Sequence, residues 1–230
     1  MQSLTDLALA PVYAAQALSF LARIERMPEA EGPRQGDAGQ GAPLRLLILG
    51  DSSAAGVGVT HQSEALPGQM LHHLIKHNRV LWKLVARSGA TSAQACAMLR
   101  GQGMFDIAVL ALGVNDVLRQ TRTARFKQAQ SALIKDLRMR HGVQHILVSA
   151  VPPLGAFEVF PDPLRSFLGR RALALDASLC ELCALQAAQH VPFDLAPGPE
   201  WLARDGLHPG AALSAEWGKR MAGLALHNLS

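Results

Sequence analysis

The sequence has little of what marks a disulfide-rich or membrane-spanning protein. Three cysteines in 230 residues cannot form a closed set of disulfides, which fits a reducing compartment or simple burial. The uncharged stretch at 7–22 has 16 residues and contains Pro11 and Gln16, whereas a bilayer core requires about 20 apolar residues. No basic region precedes it and no small-residue cleavage site follows it, which disfavours a secretory signal. The length suits one domain.

The first 43 residues differ in composition from the rest. We expect 7–22 to form a helix that packs on the domain or on a partner, with shallow membrane attachment as the main alternative. Arg23 and Arg26 follow it and would keep the next domain on the cytoplasmic side if the helix were inserted. Residues 31–41, rich in Gly, are typical of a linker. We therefore predict an N-terminal helix and linker over 1–43 and one domain over 44–230. The predicted location is cytoplasmic, with membrane association as the alternative.

Two common nucleotide-binding motifs and one common hydrolase motif are absent. The small residues at 52–58 look like a phosphate loop, but no Lys-Ser or Lys-Thr follows the glycines. A dinucleotide fingerprint fails because His61 stands at the third glycine position. The G-x-S-x-G nucleophile elbow is missing as well, so the α/β-hydrolase fold is not supported.

Short apolar runs alternate with helical patterns along the domain, which predicts an α/β fold with five parallel strands and helices on both faces. We place the strands near 44–50, 79–86, 106–112, 145–151 and 191–195. The helices are expected near 64–78, 91–100, 121–141, 164–190 and 209–226. Ligands bind such sheets at the carboxyl ends of the strands.

Four segments at or near these strand ends carry residues suited to acyl transfer. They are Gly50-Asp51-Ser52-Ser53, Ser88-Gly89, Gly113-Val114-Asn115-Asp116 and Asp205-Gly-Leu-His208-Pro209. A serine becomes a good nucleophile when an imidazole takes its proton and a carboxylate orients that imidazole. Glycine amides and an asparagine amide are neutral donors for an oxyanion. Taken singly, each segment also has an ordinary structural explanation, as a helix cap or a turn.

Together and in this order, the four segments resemble the SGNH (GDSL-type) hydrolase family of esterases and lipases, over roughly 44–226. The resemblance implies a flavodoxin-like three-layer α/β/α sandwich with no metal or cofactor. It implies Ser52 as nucleophile, His208 as base and Asp205 as its orienter, with Ser53 as a helix-entry residue. The implied oxyanion donors are the Ser52 and Gly89 amides and the Asn115 side chain.

The predicted function is therefore a serine esterase of the carboxylesterase or lipase type, with a small-molecule or lipid ester as substrate. A thioesterase or a sugar O-acetyl esterase would use the same residues, and a binding module could keep the fold without activity. In the loop at 152–164, Phe157 and Phe160 either wall an acyl pocket or pack into the core.

Two further features have structural explanations that we prefer. Residues 119–140 hold seven Lys or Arg against Asp136, which predicts a solvated basic helix face, with anionic lipid headgroups or an anionic substrate as the alternative. Nucleic acid is disfavoured because no recognition motif accompanies the charge. Cys180 and Cys183 lie in a helical pattern without a second ligand pair, which favours core packing over a zinc site.

Overall fold

A computed structural model describes residues 4–193 and 198–229, and its centre is one six-stranded sheet. The strands are β1 (Gln35–Ala38), β2 (Ala42–Gly50), β3 (Asn78–Ala86), β4 (Ile107–Ala111), β5 (His145–Ser149) and β6 (Gln189–Val191). They lie in the order β1-β3-β2-β4-β5-β6, and all neighbours are parallel except β1 and β3. The five predicted parallel strands are present. The last was predicted at 191–195 but spans Gln189–Val191, and residues 194 and 195 lie outside the described residues.

Helices cover both faces of the sheet, as the three-layer prediction requires. They are α1 (Leu4–Arg23), α2 (Leu66–Leu74), α3 (Ser92–Met98), α4 (Val114–Leu118), α5 (Thr123–His141), α6 (Leu164–Leu185) and α7 (Ala211–His227). The core on one face contains residues of α2 and α7, and the core on the other contains residues of α1, α3, α5 and α6. The short helix α4 is an addition to the predicted elements.

Strand β2 is apolar on both sides because both sides are covered. Leu47 and Leu49 belong to the core with α5 and α6, whereas Leu46 and Ile48 belong to the core with α2 and α7. All four side chains are fully buried. Burying each contributes roughly 1.5–3 kcal/mol. The central strand is therefore fixed in register just before Gly50, where the site begins.

The interpretation of 31–41 as a linker is wrong, because the segment contains the sixth strand. Strand β1 pairs antiparallel with β3, with Gly36 opposite Trp82. A Cβ on Gly36 would lie 2.9 Å from the Trp82 indole nitrogen, so the glycine lets the indole lie over the strand. Arg79 donates to Asp37 at 2.9 Å and ties the pair together. This Gly-rich segment thus forms a strand that covers the edge of the sheet that β3 would otherwise expose.

The order of the five parallel strands reverses between β2 and β4, which lie side by side at the centre. Crossovers leave these two strands in opposite directions, which opens a crevice at their carboxyl ends. Ser52 follows β2 and Asn115 follows β4, so both lie at this crevice.

Helix α1 lies against the domain. Tyr13 stacks on Phe167 with ring centroids 4.5 Å apart, and Phe20 meets Phe160 at 4.7 Å. The Gln16 side chain also accepts a hydrogen bond of 3.0 Å from the Leu164 amide.

The opposite face of α1 is apolar as well. Leu7 and Leu18 are each 68% exposed. By length and composition, Thr5–Arg23 is long and apolar enough to cross a membrane. The uncharged stretch at 7–22, which has only 16 residues, did not predict this. Membrane attachment and a cytoplasmic location stay predictions.

Candidate active site

His208 lies between Ser52 and Asp205 and contacts both. Its Nδ1 is 2.6 Å from Asp205 Oδ2, and its Nε2 is 2.9 Å from Ser52 Oγ. Because an ionised carboxylate can only accept, Nδ1 carries the proton and Nε2 is left to accept from the serine hydroxyl. This is the arrangement that makes a serine nucleophilic. The imidazole contacts Ser52 rather than Ser53, which lies in a run of turns and not at a helix entry.

A tight loop holds the carboxylate and the imidazole together. Gly206 has a φ of 67°, a conformation that glycine adopts readily. The Leu207 and His208 amides each donate to Asp205 Oδ1 at 3.0 Å. Burial would raise the pKa of Asp205, but the hydrogen bonds from His208 and Leu207 lower it below its usual 3.8. Asp205 does not cap α7, which begins after Gly210.

The loop after β2 approaches the His208 loop closely at Gly58. Its φ is 113°, and a Cβ there would lie 2.4 Å from the Pro209 carbonyl oxygen. Since no larger residue fits, Gly58 sets the distance between the loop of Ser52 and the loop of His208.

Asn115 is held by the buried carboxylate of Asp51. The Asn115 Nδ2 donates to Asp51 Oδ2 at 3.1 Å, and the Ser53 amide donates to Oδ1 at 3.0 Å. One carboxylate therefore orients both the asparagine and the loop of Ser52. Burial raises the pKa of Asp51 to about 6, although the Ser53 amide, the charge of His208 and the Asn115 amide act in the opposite direction.

Gly89 follows β3 and is fixed from two sides. Arg119 Nη2 donates to the Gly89 carbonyl at 3.1 Å, and Glu29 accepts from both the amide and the hydroxyl of Ser88, at 2.8 and 2.7 Å. Within the described ranges, neither the Gly89 amide nor the Ser52 amide has a hydrogen-bond partner. Two free amides therefore accompany the Asn115 side chain.

These groups open into a cavity of about 430 Å³. Its polar corner is formed by Ser52, Gly89, Asn115 and His208. The remaining walls are mostly apolar and include Phe20, Leu21, Ile24, Phe157, Leu207 and Leu213. Phe157 thus lines the cavity, as one of the two predictions for it requires. Phe160 does not line this cavity and lies instead beneath α1.

The sequence prediction missed the residues that support the site. Asp51 lies in the segment of Ser52 but the sequence assigns it no role, and Glu29 and Arg119 lie outside the four segments. The walls from α1 were missed too, although Leu9, Tyr13, Phe20 and Ile24 follow a helical spacing that marks a packed face.

The other predicted candidates lie elsewhere. Cys183 is buried in the core and Cys180 is exposed on the same helix. Over the described ranges, no group of three or more His, Cys, Asp or Glu side chains is arranged to hold a metal ion. Part of the basic segment is engaged locally, since Lys127 pairs with Glu181 and Arg138 donates to the carbonyls of Gln186 and Ala187.

The model of the GDSL-like lipase/acylhydrolase family matches residues 48–215, which is most of the chain. No curated protein matches this chain.

Many solved structures share the fold. The psychrotrophic esterase EstA from a Pseudoalteromonas species is 20% identical with a TM-score of 0.63, covering 80% of this chain and 98% of its own. The lipase/acylhydrolase from Enterococcus faecalis is 20% identical with a TM-score of 0.63, covering 79% and 94%. The SGNH-hydrolase family esterase AlinE4 is 24% identical with a TM-score of 0.57, covering 83% and 99%.

Proposed function

The chain belongs to the GDSL-like lipase/acylhydrolase family and is a hydrolase of ester bonds, and we propose that it works through an acyl-enzyme intermediate formed on Ser52. The observation that supports this most directly is the unbroken chain of hydrogen bonds from Asp205 through His208 to Ser52.

In the first step the Ser52 oxygen attacks the acyl carbonyl while His208 Nε2 takes the hydroxyl proton. The imidazole becomes a cation, which the adjacent Asp205 carboxylate stabilises. The lowered pKa of Asp205 keeps that carboxylate ionised at neutral pH. His208 then gives the proton to the leaving alcohol oxygen, and the acyl group stays on Ser52.

The negative charge on the carbonyl oxygen is stabilised by three neutral donors. We assign this role to the Ser52 and Gly89 amides and to the second N–H of Asn115 Nδ2, since the first is engaged by Asp51. These donors are fixed before substrate binds, because Asp51 and Arg119 hold Asn115 and Gly89 in position. Little reorganisation is then required during the reaction.

In the second step His208 accepts a proton from a water molecule whose oxygen attacks the acyl carbonyl. The bond to Ser52 Oγ then breaks, His208 returns the proton to that oxygen, and the acid is released. Thioesters would react through the same residues. The mostly apolar walls of the cavity fit an apolar acyl group better than a sugar, which favours carboxylesters or thioesters over sugar acetates.

The test is hydrolysis of p-nitrophenyl esters from acetate to dodecanoate by the wild type, Ser52→Ala and Ser53→Ala. Ser53 is the matched control, because it is the neighbouring serine in the same loop and its hydroxyl does not contact His208. We expect Ser52→Ala to lose several orders of magnitude in kcat and Ser53→Ala to retain most activity, with circular dichroism showing both folded. A folded Ser52→Ala with near-normal activity would refute the assignment of the nucleophile.

A further inference from the structure

A second cavity, of about 190 Å³, lies between α1 and the body of the domain. One wall comes from the inner side of α1, including Tyr13, Ala14 and Ala17. The other wall includes Phe160, Leu164 and Phe167. The helix residues that line it run from Asp6 to Leu21, roughly 20 Å at 1.5 Å per residue. The cavity is therefore long and narrow and follows the helix.

The two cavities adjoin. Phe20, Leu21 and Leu118 line both of them, so these three side chains lie at the boundary between the cavity of Ser52 and the cavity under α1. Phe20 is buried against Phe160, whereas Leu21 is 61% exposed. The junction is thus bounded by apolar side chains.

The second cavity is chemically suited to an alkyl chain. Its lining is apolar apart from Asp6 and Gln120. The Asp6 carboxylate is already engaged, since it accepts from Arg170 at 2.6 Å and from the Tyr13 hydroxyl at 3.0 Å. Gln120 is the remaining polar side chain, so most of the lining would contact methylene groups and would leave the polar atoms of a hydrophilic acyl group without a partner.

We propose that this channel holds the distal part of a long acyl chain, so that α1 sets the chain-length preference of the enzyme. The proposal rests on the proposed function, because it takes Ser52 as the point of attachment. The substrate class is esters of long-chain fatty acids. The specificity then comes from residues 6–21, which precede the part of the chain matched by the family model.

The volume of the second cavity sets the size of the expected effect on chain-length preference. At about 30 Å³ for a group the size of a water molecule, 190 Å³ has room for roughly six methylene groups. Each buried methylene raises kcat/KM by about fourfold when its burial contributes fully to the transition state. Blocking the channel should therefore penalise long chains by at least about tenfold, even if only two methylenes are displaced.

The variant that tests this is Ala17→Trp, which places a large side chain in the second cavity. Ala15→Trp is the control, because Ala15 is exposed and lies about 200° around the helix from Ala17. Ala14→Trp is a second blocking variant at a more exposed position of the same cavity, for use if Ala17→Trp does not fold. The measured quantity is the ratio of kcat/KM for hexadecanoate to that for butanoate esters.

We expect this ratio to fall at least tenfold in Ala17→Trp and to stay near the wild-type value in Ala15→Trp. An unchanged ratio in a folded blocking variant would overturn the channel, while butanoate hydrolysis that depends on Ser52 would leave the proposed function intact. An equal fall in Ala15→Trp would also overturn it, because the effect would then belong to the helix and not to the cavity.

A binding measurement separates the two proposals if the wild type hydrolyses no ester. Titration with cis-parinaric acid, a fluorescent long-chain fatty acid, reports occupancy of the channel without any chemistry. We expect the wild type and Ala15→Trp to bind the acid with equal affinity and Ala17→Trp to bind it at least tenfold more weakly. That result would support the channel even though the proposed function had failed. Absence of binding, or equal binding by all three proteins, would refute it.

Discussion

Asp51 is the buried carboxylate whose removal gives the sharpest test of how the site is supported. It is 2% exposed, and its pKa is raised from 3.8 to about 6 by burial. The folded protein therefore binds this proton more tightly than the unfolded chain does. Stability contributed by the protonated form is present below pH 3.8 and is lost as the pH rises to about 6. A rise from 3.8 to about 6 corresponds to about 3 kcal/mol.

Asp51→Asn removes this dependence because an amide does not titrate. We expect the free energy of unfolding of the wild type, relative to Asp51→Asn, to fall by about 2.4 kcal/mol between pH 4 and 7, which is most of the full effect. The measurement is urea denaturation of both proteins across that range. The control is Asp106→Asn, for which the pH dependence of stability should have the opposite sign. Hydrogen bonds from Arg45 lower the pKa of Asp106, so the stability that the Asp106 carboxylate contributes is present at neutral pH and lost in acid.

The same variant should also impair catalysis. Asp51 uses one oxygen for the Ser53 amide and the other for Asn115, whereas an asparagine has only one carbonyl oxygen. One of the two donors therefore loses its acceptor, and we expect kcat to fall at least tenfold at pH 7.5. Parallel stability curves for the wild type and Asp51→Asn between pH 4 and 7 would refute the raised pKa, whatever the change in activity.

Two other substitutions test the geometry of the site. Asn115→Ala removes one oxyanion donor, so steady-state assays should show kcat reduced by about 100- to 1,000-fold in a folded protein, and near-wild-type kcat would show that Asn115 has another role. Gly58→Ala places a Cβ 2.4 Å from the Pro209 carbonyl and should displace the His208 loop, lowering both activity and melting temperature. Gly101→Ala is its control, since Gly101 also has a positive φ, 74°, but nothing lies within 4 Å; equal effects of the two would mean that backbone strain alone is responsible.

The central strands and the four chemical segments could be predicted from the sequence because each depends on local pattern. Residues 44–49 are apolar except for Arg45, a pattern typical of a strand covered on both faces, and Gly50 marks its end. Ser52, Asn115 and His208 follow from strand ends and from the family resemblance.

What could not be predicted depends on contacts between distant residues. Strand β1 has a linker-like composition, and it is a strand because β3 offers an edge and Gly36 lets the Trp82 indole lie over it. The position of α1 over the site depends on Tyr13 contacting Phe167, 154 residues later, and on Phe20 contacting Phe160, 140 residues later. Periodicity identifies a packed face but not the surface that it covers.

The hydrogen bond between Ser52 and His208 joins residues 156 positions apart. At a synthesis rate of about 5–20 residues per second, the serine leaves the ribosome tunnel roughly 8–30 seconds before its base. During that interval the chain carries an ordinary alcohol, because no imidazole is present to take its proton. Reactivity toward esters therefore arises only after the central strands have paired and the C-terminal loop has docked, which makes hydrolysis itself a reporter of completed folding.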